Sequence, residues 1–211
     1  PLSGINIYLN TLKKLHHQDG SEEKVEQILK HVQSASIKIE SVIRRVMDFA
    51  KPGEPKLTLI DINEPIIDAI SLTAVTMRKS GIKIEKFLTN DLPRIAADKN
   101  LIEEMVLNLM NNAAEAMKTM ETGKKIVVAS FLEDGQIIIQ VSDSGPGVPY
   151  GIRNKIFDPY FTTKHEGTGI GLSLCHRIIN DHDGSLTLSD SDLGGAEFRI
   201  EIPINLKAST R

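Results

Sequence analysis

Lys125-Ile-Val-Val-Ala-Ser-Phe-Leu-Glu133-Asp134-Gly135-Gln136-Ile-Ile-Ile-Gln-Val-Ser-Asp143-Ser-Gly145-Pro-Gly147 decides the fold class of this 211-residue chain. Two runs of aliphatic and β-branched residues, 125–132 and 136–142, flank Glu133-Asp134-Gly135, and such runs joined by a short Asp-Gly turn read as an antiparallel hairpin. Further strand-like runs fall at 57–62, 81–88, 185–189 and 196–202, interleaved with helical stretches near 63–79, 98–120 and 170–182. The interleaving lacks the regular βαβ spacing of a doubly wound sheet. The expectation is therefore an α+β fold, a two-layer α/β sandwich with a mixed sheet.

Upstream the period changes. Val25, Ile28, Val32, Ala35, Ile39, Val42, Val46 and Phe49 are spaced 3,4,3,4,3,4,3, an unbroken heptad seam, and Leu2, Ile5, Leu9, Leu12 and His16 repeat the same spacing. His17-Gln18-Asp19-Gly20 separates the two series, and Ser21 with Glu22 and Glu23 forms an N-cap signature. Residues 1–54 are thus expected to be an α-helical hairpin. One hairpin covers its seam on one side only, and Leu29, Ile43 and Met47 add apolar surface beside it. A homodimer through a four-helix bundle would cover both sides; packing on the rest of its own chain is the alternative. Lys51-Pro52-Gly53-Glu54-Pro55 is a breaker cluster that sets the boundary with a second domain over 55–211.

Composition removes several function classes. Lys+Arg 25 against Asp+Glu 28 leaves a formal charge of −3, without the basic footprint of a dedicated nucleic-acid binder. Aromatic residues are 4% with no Trp, so the core must be aliphatic. The single cysteine, Cys175, excludes an internal disulfide framework and a Cys-based zinc site, and it falls on the buried face of a helix. No run approaches eighteen apolar residues, so the segment is expected to be cytoplasmic with no membrane contact of its own, even if the full-length protein is membrane-anchored. The first residue is Pro rather than Met, which points to a piece of something longer.

Chemistry gathers in a few clusters. At about 100° per residue, Leu101, Ile102, Met105, Val106, Leu109 and Ala113 fill one apolar half of a helix, with Asn112 inside that half and Asn108 at its edge. Burying an unpaired amide costs roughly 1–3 kcal/mol, so both need partners. Those partners are either neighbouring backbone or a hard cation such as Mg²⁺ shared with phosphates. Glu104 and Glu115 flank the pair and read as a solvated face. Asp143 before Gly145-Pro146-Gly147 is either an Asx-capped turn or an acceptor for the amine of a flat ligand; adenine offers that donor where guanine has a carbonyl. Gly167-Thr168-Gly169-Ile170-Gly171-Leu172 leads into a helix and offers backbone N–H groups to phosphate. It lacks the Gly-Lys-[Ser/Thr] of a P-loop and the spacing of a Rossmann turn. Residues 148–166 show no evident regular structure and read as a lid, anchored by Phe157 and Phe161, with Lys164 either meeting a phosphate or solvated.

In their order these clusters resemble the sensor histidine kinases. Asn108-Leu-Met-Asn-Asn112-Ala is similar to the family's N box and Asp143-Ser-Gly-Pro-Gly147 to its G1 box. Phe157-Asp-Pro-Tyr-Phe161-Thr-Thr-Lys164 is similar to the F box, and Gly167-Thr-Gly-Ile-Gly171-Leu172 to the G2 box. The resemblance covers roughly residues 55–205 and looks closest to the nitrogen-regulation-type subgroup. It implies a Bergerat-type ATP-binding fold with Asn112 and Asn108 around Mg²⁺, Asp143 on adenine, and the G1–G2 segment as the ATP lid. Gly145, Gly147, Phe157, Phe161, Lys164, Gly167, Thr168, Gly169, Gly171 and Leu172 would complete the ATP site. It also implies a two-component protein-histidine kinase that passes the γ-phosphoryl group to a histidine and on to an aspartate of a response-regulator receiver domain. Pro1-Leu2-Ser3-Gly4 resembles the tail of the H box, His-Glu-x-x-Asn-Pro-Leu. On that reading the acceptor histidine precedes Pro1, His16, His17 and His31 do not match it, and the chain as given does not autophosphorylate. Related ATPases of type II topoisomerases and heat-shock chaperones carry a Glu where Asn108 stands, to deprotonate water, and an amide cannot take that proton. Such an ATPase, or a non-catalytic nucleotide-sensing dimer, is the alternative.

Overall fold

The computed structural model describes residues 24–33, 35–36, 55–164 and 167–204. The chain divides into two compact units, Pro1–Pro52 and Gly53–Arg211. In the first, residues 24–33 and 35–36 are helical, and Val25, Ile28, Val32 and Ala35 are half-buried while the other described positions are exposed. The least exposed face is thus the heptad seam. Glu26 and Lys30 pair one turn apart at 2.8 Å on the outside, and His31 is exposed. The rest of the expected hairpin, with His16, His17 and the seam from Ile39 to Phe49, lies outside the described residues, as does the four-helix bundle.

The second unit has the expected α+β architecture. It runs β1 (Thr58–Ile60), α1 (Asn63–Lys79), β2 (Lys83–Leu88), β3 (Ile95–Ala97), α2 (Lys99–Ala116), β4 (Lys125–Glu133), β5 (Gln136–Asp143), a 3-10 turn (Tyr150–Ile152), α3 (Gly171–Asn180), β6 (Ser185–Asp190) and β7 (Ala196–Pro203). The main sheet has the order β2-β4-β5-β7-β6, and β1 pairs with β3 apart from it. Only β2 against β4 is parallel within that sheet, so the sheet is mixed.

The β4–β5 hairpin sets the geometry. Asp134 and Gly135 have φ of 48° and 76°, as a tight two-residue turn requires. They fix the register from Glu133 opposite Gln136 to Ile126 opposite Asp143. Side chains alternate across a strand, so Ile137, Ile139 and Val141 face the helices and Asp143 follows them onto that face. The layer between sheet and helices is aliphatic: Ile126, Val128, Ile139 and Ile200 meet Ile66, Met105, Leu109 and Met110, all fully enclosed or nearly so. Cys175 is enclosed there too, and burial pushes its thiol far above the ordinary range.

Helix α2 starts at Asp98, whose Oδ1 accepts from the N–H groups of Asn100 (3.1 Å) and Leu101 (3.4 Å). The N–H of Asp98 donates to Nε2 of buried His182 at 2.9 Å, so the other ring nitrogen carries the proton and donates to the Ile178 carbonyl at 2.7 Å. One imidazole ties the start of α2 to the end of α3.

One strand is additional to those expected: β3 directly follows Pro93-Arg94 and, at three residues, is too short to show a period. The helix expected near 98–120 ends at Ala116. Over its described residues, 148–164, the lid segment is not structureless: it carries the 3-10 turn, encloses Ile156, and packs Phe157 and Phe161 against the core.

Candidate nucleotide site

Asp143 ends β5 at 4% exposure. Its Oδ1 accepts from the N–H of Gly145 at 2.7 Å and of Ala196 at 3.2 Å. The first bond is the Asx turn of the sequence reading; the second comes from the start of β7. Oδ2 has no hydrogen-bond partner among the described residues, where no fully enclosed side-chain oxygen or nitrogen lacks one. Oδ2 is therefore not fully enclosed and could accept from a donor outside while Oδ1 holds the turn. Burial pushes the carboxyl up from its ordinary value, partly offset by the two N–H groups.

Glycines let the backbone close over that carboxylate. A Cβ on Gly195 would lie 2.1 Å from Asp143 Oδ1 and 2.5 Å from the Gly145 nitrogen, and one on Gly145 would lie 2.8 Å from the same Oδ1. Gly147 has φ 71°. Gly195 and Ala196 lie against the Asp143 carboxylate, and the sequence reading did not name them. Their only signal is a Gly-Gly pair ahead of an alternating strand, which an ordinary hairpin turn also shows.

The second end lies on α2. Asn108 and Asn112 are half-buried rather than core-facing, because α3 begins in front of them instead of covering them. A Cβ on Gly171, the first residue of α3, would lie 3.6 Å from Asn108 Oδ1 and 3.8 Å from Asn112 Nδ2. Both amides therefore sit at a helix N-terminus, with its unpaired N–H groups and positive dipole end. Asn112 Oδ1 accepts from Lys164 Nζ at 3.4 Å, and the same ammonium pairs with Glu115 Oε2 at 2.5 Å. Glu115 is exposed, as expected of a solvated face, and is ion-paired as well.

Between the two ends, the lid folds against the glycine-rich loop. The N–H of Tyr160 donates to the Gly169 carbonyl at 2.9 Å. A Cβ on Gly169 (φ 65°) would lie 2.4 Å from the Tyr160 carbonyl carbon, and one on Gly167 2.3 Å from Thr162 Oγ1. Gly169 thus admits the lid backbone and Gly167 the lid side chains of Thr162 and Lys164, packing that no local sequence signal shows. Phe157 lies 5.5 Å from the His176 ring on α3; Thr168 and Leu172 are half-buried, Leu172 against the core. At the lid's other end Arg153 pairs with Asp190 of β6, stacks over Tyr150 at 3.9 Å, and donates from Nε to the Val148 carbonyl at 2.8 Å.

Among the described residues no group of three or more His, Cys, Asp or Glu is placed to hold a metal ion. The donors at this end are neutral amide oxygens, which suit Mg²⁺ arriving with phosphates that supply the charge. No helix among the described residues is long and apolar enough to cross a membrane.

Residues 97–206 match the family model of the histidine kinase-, DNA gyrase B- and HSP90-like ATPases, a span that holds both ends of the site and the lid. The chain belongs to this family. Over 205 residues it is 31% identical to the signal transduction histidine-protein kinase AtoS of Escherichia coli strain K12, covering 97% of this chain and 33% of AtoS. The catalytic domain of histidine kinase ThkA is 34% identical and superposes with a TM-score of 0.62, over 70% of this chain and 95% of that one. Full-length ShkA, solved in complex with AMPPNP, is 25% identical with a TM-score of 0.74, over 95% of this chain and 43% of that one. The second unit is accordingly a histidine kinase ATPase domain with the Bergerat ATP-binding fold. The chain spans about a fifth to two fifths of the length of the curated relatives it matches.

Proposed function

We infer that residues 55–211 bind Mg²⁺-ATP as the catalytic domain of a two-component protein-histidine kinase, closest to the nitrogen-regulation-type subgroup. The observation that supports this best is the pairing of two ends: an enclosed carboxylate with one open oxygen, and two amides gathered with a lysine at a helix N-terminus. Asp143 Oδ2 would accept from the exocyclic amine of adenine, with Gly145 and Gly147 letting the base approach the backbone. Asn112 and Asn108 would hold Mg²⁺, which when bound neutralises phosphate charge as a Lewis acid. Lys164 and the backbone N–H groups of Gly167, Thr168, Gly169, Gly171 and Leu172 would meet the phosphates. Phe157 and Phe161 would keep the lid seated and water out. The nucleotide analogue bound in ShkA supports the ATP assignment.

Asn108 favours the kinase over an ATPase. An amide cannot deprotonate water, so the site keeps ATP for a protein nucleophile. Residues 1–54 would form the dimeric four-helix bundle that presents the acceptor histidine, and the phosphoryl group would pass to a receiver aspartate on the cytoplasmic side. The test mixes the chain with a dimerisation hairpin bearing an H-box histidine and adds ATP. An acid-labile, base-stable phosphohistidine that transfers to a receiver domain is the expected result. Rapid steady-state phosphate release without any acceptor would favour the ATPase, and nucleotide binding with neither outcome would favour the sensor. Light scattering that found the chain monomeric at tens of micromolar would overturn the dimer.

A further inference from the structure

Lys164 is held in an unusual way for a residue of a lid. Its backbone is fixed on both sides: its N–H donates to Thr162 Oγ1 at 3.1 Å, and its carbonyl accepts from the Gly167 N–H at 3.2 Å. The ammonium then bridges Asn112 Oδ1 and Glu115 Oε2, three residues apart on one face of α2. Lys164 can therefore change partners by moving its side chain alone. The side chains of Lys164 and Glu115 are 40% and 61% exposed, and a pair so wetted is weak and readily exchanged.

We propose that Glu115 parks Lys164 on the Asn112 amide while the site is empty, so that metal–nucleotide must compete for both the amide oxygen and the ammonium. This rests on the assignment of Asn112 and Lys164 to the nucleotide site. An ammonium and Mg²⁺ repel each other and cannot share one amide oxygen. The Lys164 ammonium would leave the Asn112 oxygen to Mg²⁺ and would exchange the Glu115 carboxylate for phosphate oxygens as its anionic partner. Glu115 is then a positioning residue that touches no reacting atom and sets how strongly nucleotide must bind to close the site.

The test uses the full chain. The rate at which a soluble amine reagent labels Lys164, read by mass spectrometry, reports the parked state without nucleotide. Glu115→Gln should speed that labelling about two- to five-fold and tighten Mg²⁺-ATP by a similar factor in calorimetry, the range expected for an exposed ion pair. In a Lys164→Gln background, Glu115→Gln should leave ATP affinity unchanged. Equal labelling rates, or ATP affinity unchanged by Glu115→Gln, would overturn the proposal. So would tightening that persists without Lys164, since it would reflect the lost negative charge alone. Failure of the unmodified chain to bind ATP would instead overturn the nucleotide assignment, while the labelling comparison would still report the pair.

Discussion

Asp143 and Lys164 are the two charged groups at opposite ends of the site, and they are held in opposite ways. Asp143 is 4% exposed, with one oxygen held by backbone N–H groups from the turn after β5 and the start of β7, and glycines closed around it. The Lys164 side chain is 40% exposed and pairs with two side chains of a single helix face. The carboxylate end is thus fixed by backbone closure, and a Cβ on Gly195 would collide with main chain. The lysine end rests on contacts between exposed side chains. The same kind of substitution should therefore have opposite signatures at the two ends.

The largest effect is expected at the carboxylate. Asp143→Asn should weaken ATP by on the order of 2–4 kcal/mol, because a charged hydrogen bond is lost and an amide donor is placed against an amine donor. Native protein should discriminate against GTP by a similar margin, and calorimetry giving like affinities for ATP and GTP would break the contrast. Stability should move the other way. Burial raises the folded-state pKa above the unfolded value, so ionising Asp143 opposes folding. That cost is absent below the unfolded pKa, grows as the pH rises through the folded one, and is full above it. Asp143→Asn should accordingly gain stability over the native chain at neutral pH and lose the gain on acidification, as denaturant titrations at several pH values would read.

Gly195→Ala comes next. It forces a methyl group into the carboxylate and main chain, and overpacking of this kind costs about 1–3 kcal/mol in stability, with loss of ATP affinity besides. A thermal scan with an unchanged midpoint would mean the β6–β7 turn moves freely, and the contrast would collapse. Lys164→Gln should be the smallest in stability, within about 0.5 kcal/mol, while weakening ATP by roughly 1–2 kcal/mol. A large stability loss there would show the lid to be part of the folded core.

The contrast also explains what the sequence could and could not show. Strands β4 and β5 and their Asp134-Gly135 turn were legible because hydrophobic period and turn chemistry are local. Asn108 and Asn112 were legible as amides on a largely apolar face, but not as a half-open pair, since nothing local says that α3 starts in front of them. Gly195 and Ala196 were not legible at all, because their role depends on a β7 that pairs with β5 across more than fifty residues. Glu115 is on a solvated face as expected, but its ion pair was not legible, because its partner lies 49 residues away on another segment. Lys164 was legible as a candidate cation, but its partner in the folded chain was not.

The imidazole between α2 and α3 bears on how a mutational map of this domain should be read. His182 serves a helix start with one nitrogen and a helix end with the other, from a buried position. Few side chains offer an acceptor and a donor on opposite edges of a rigid ring. In a saturation library selected for ATP binding, position 182 should tolerate almost nothing, as a reacting group would. Its intolerance would come from aligning the helix that carries Asn108 and Asn112, so a selection score alone would mistake a structural joint for a member of the site.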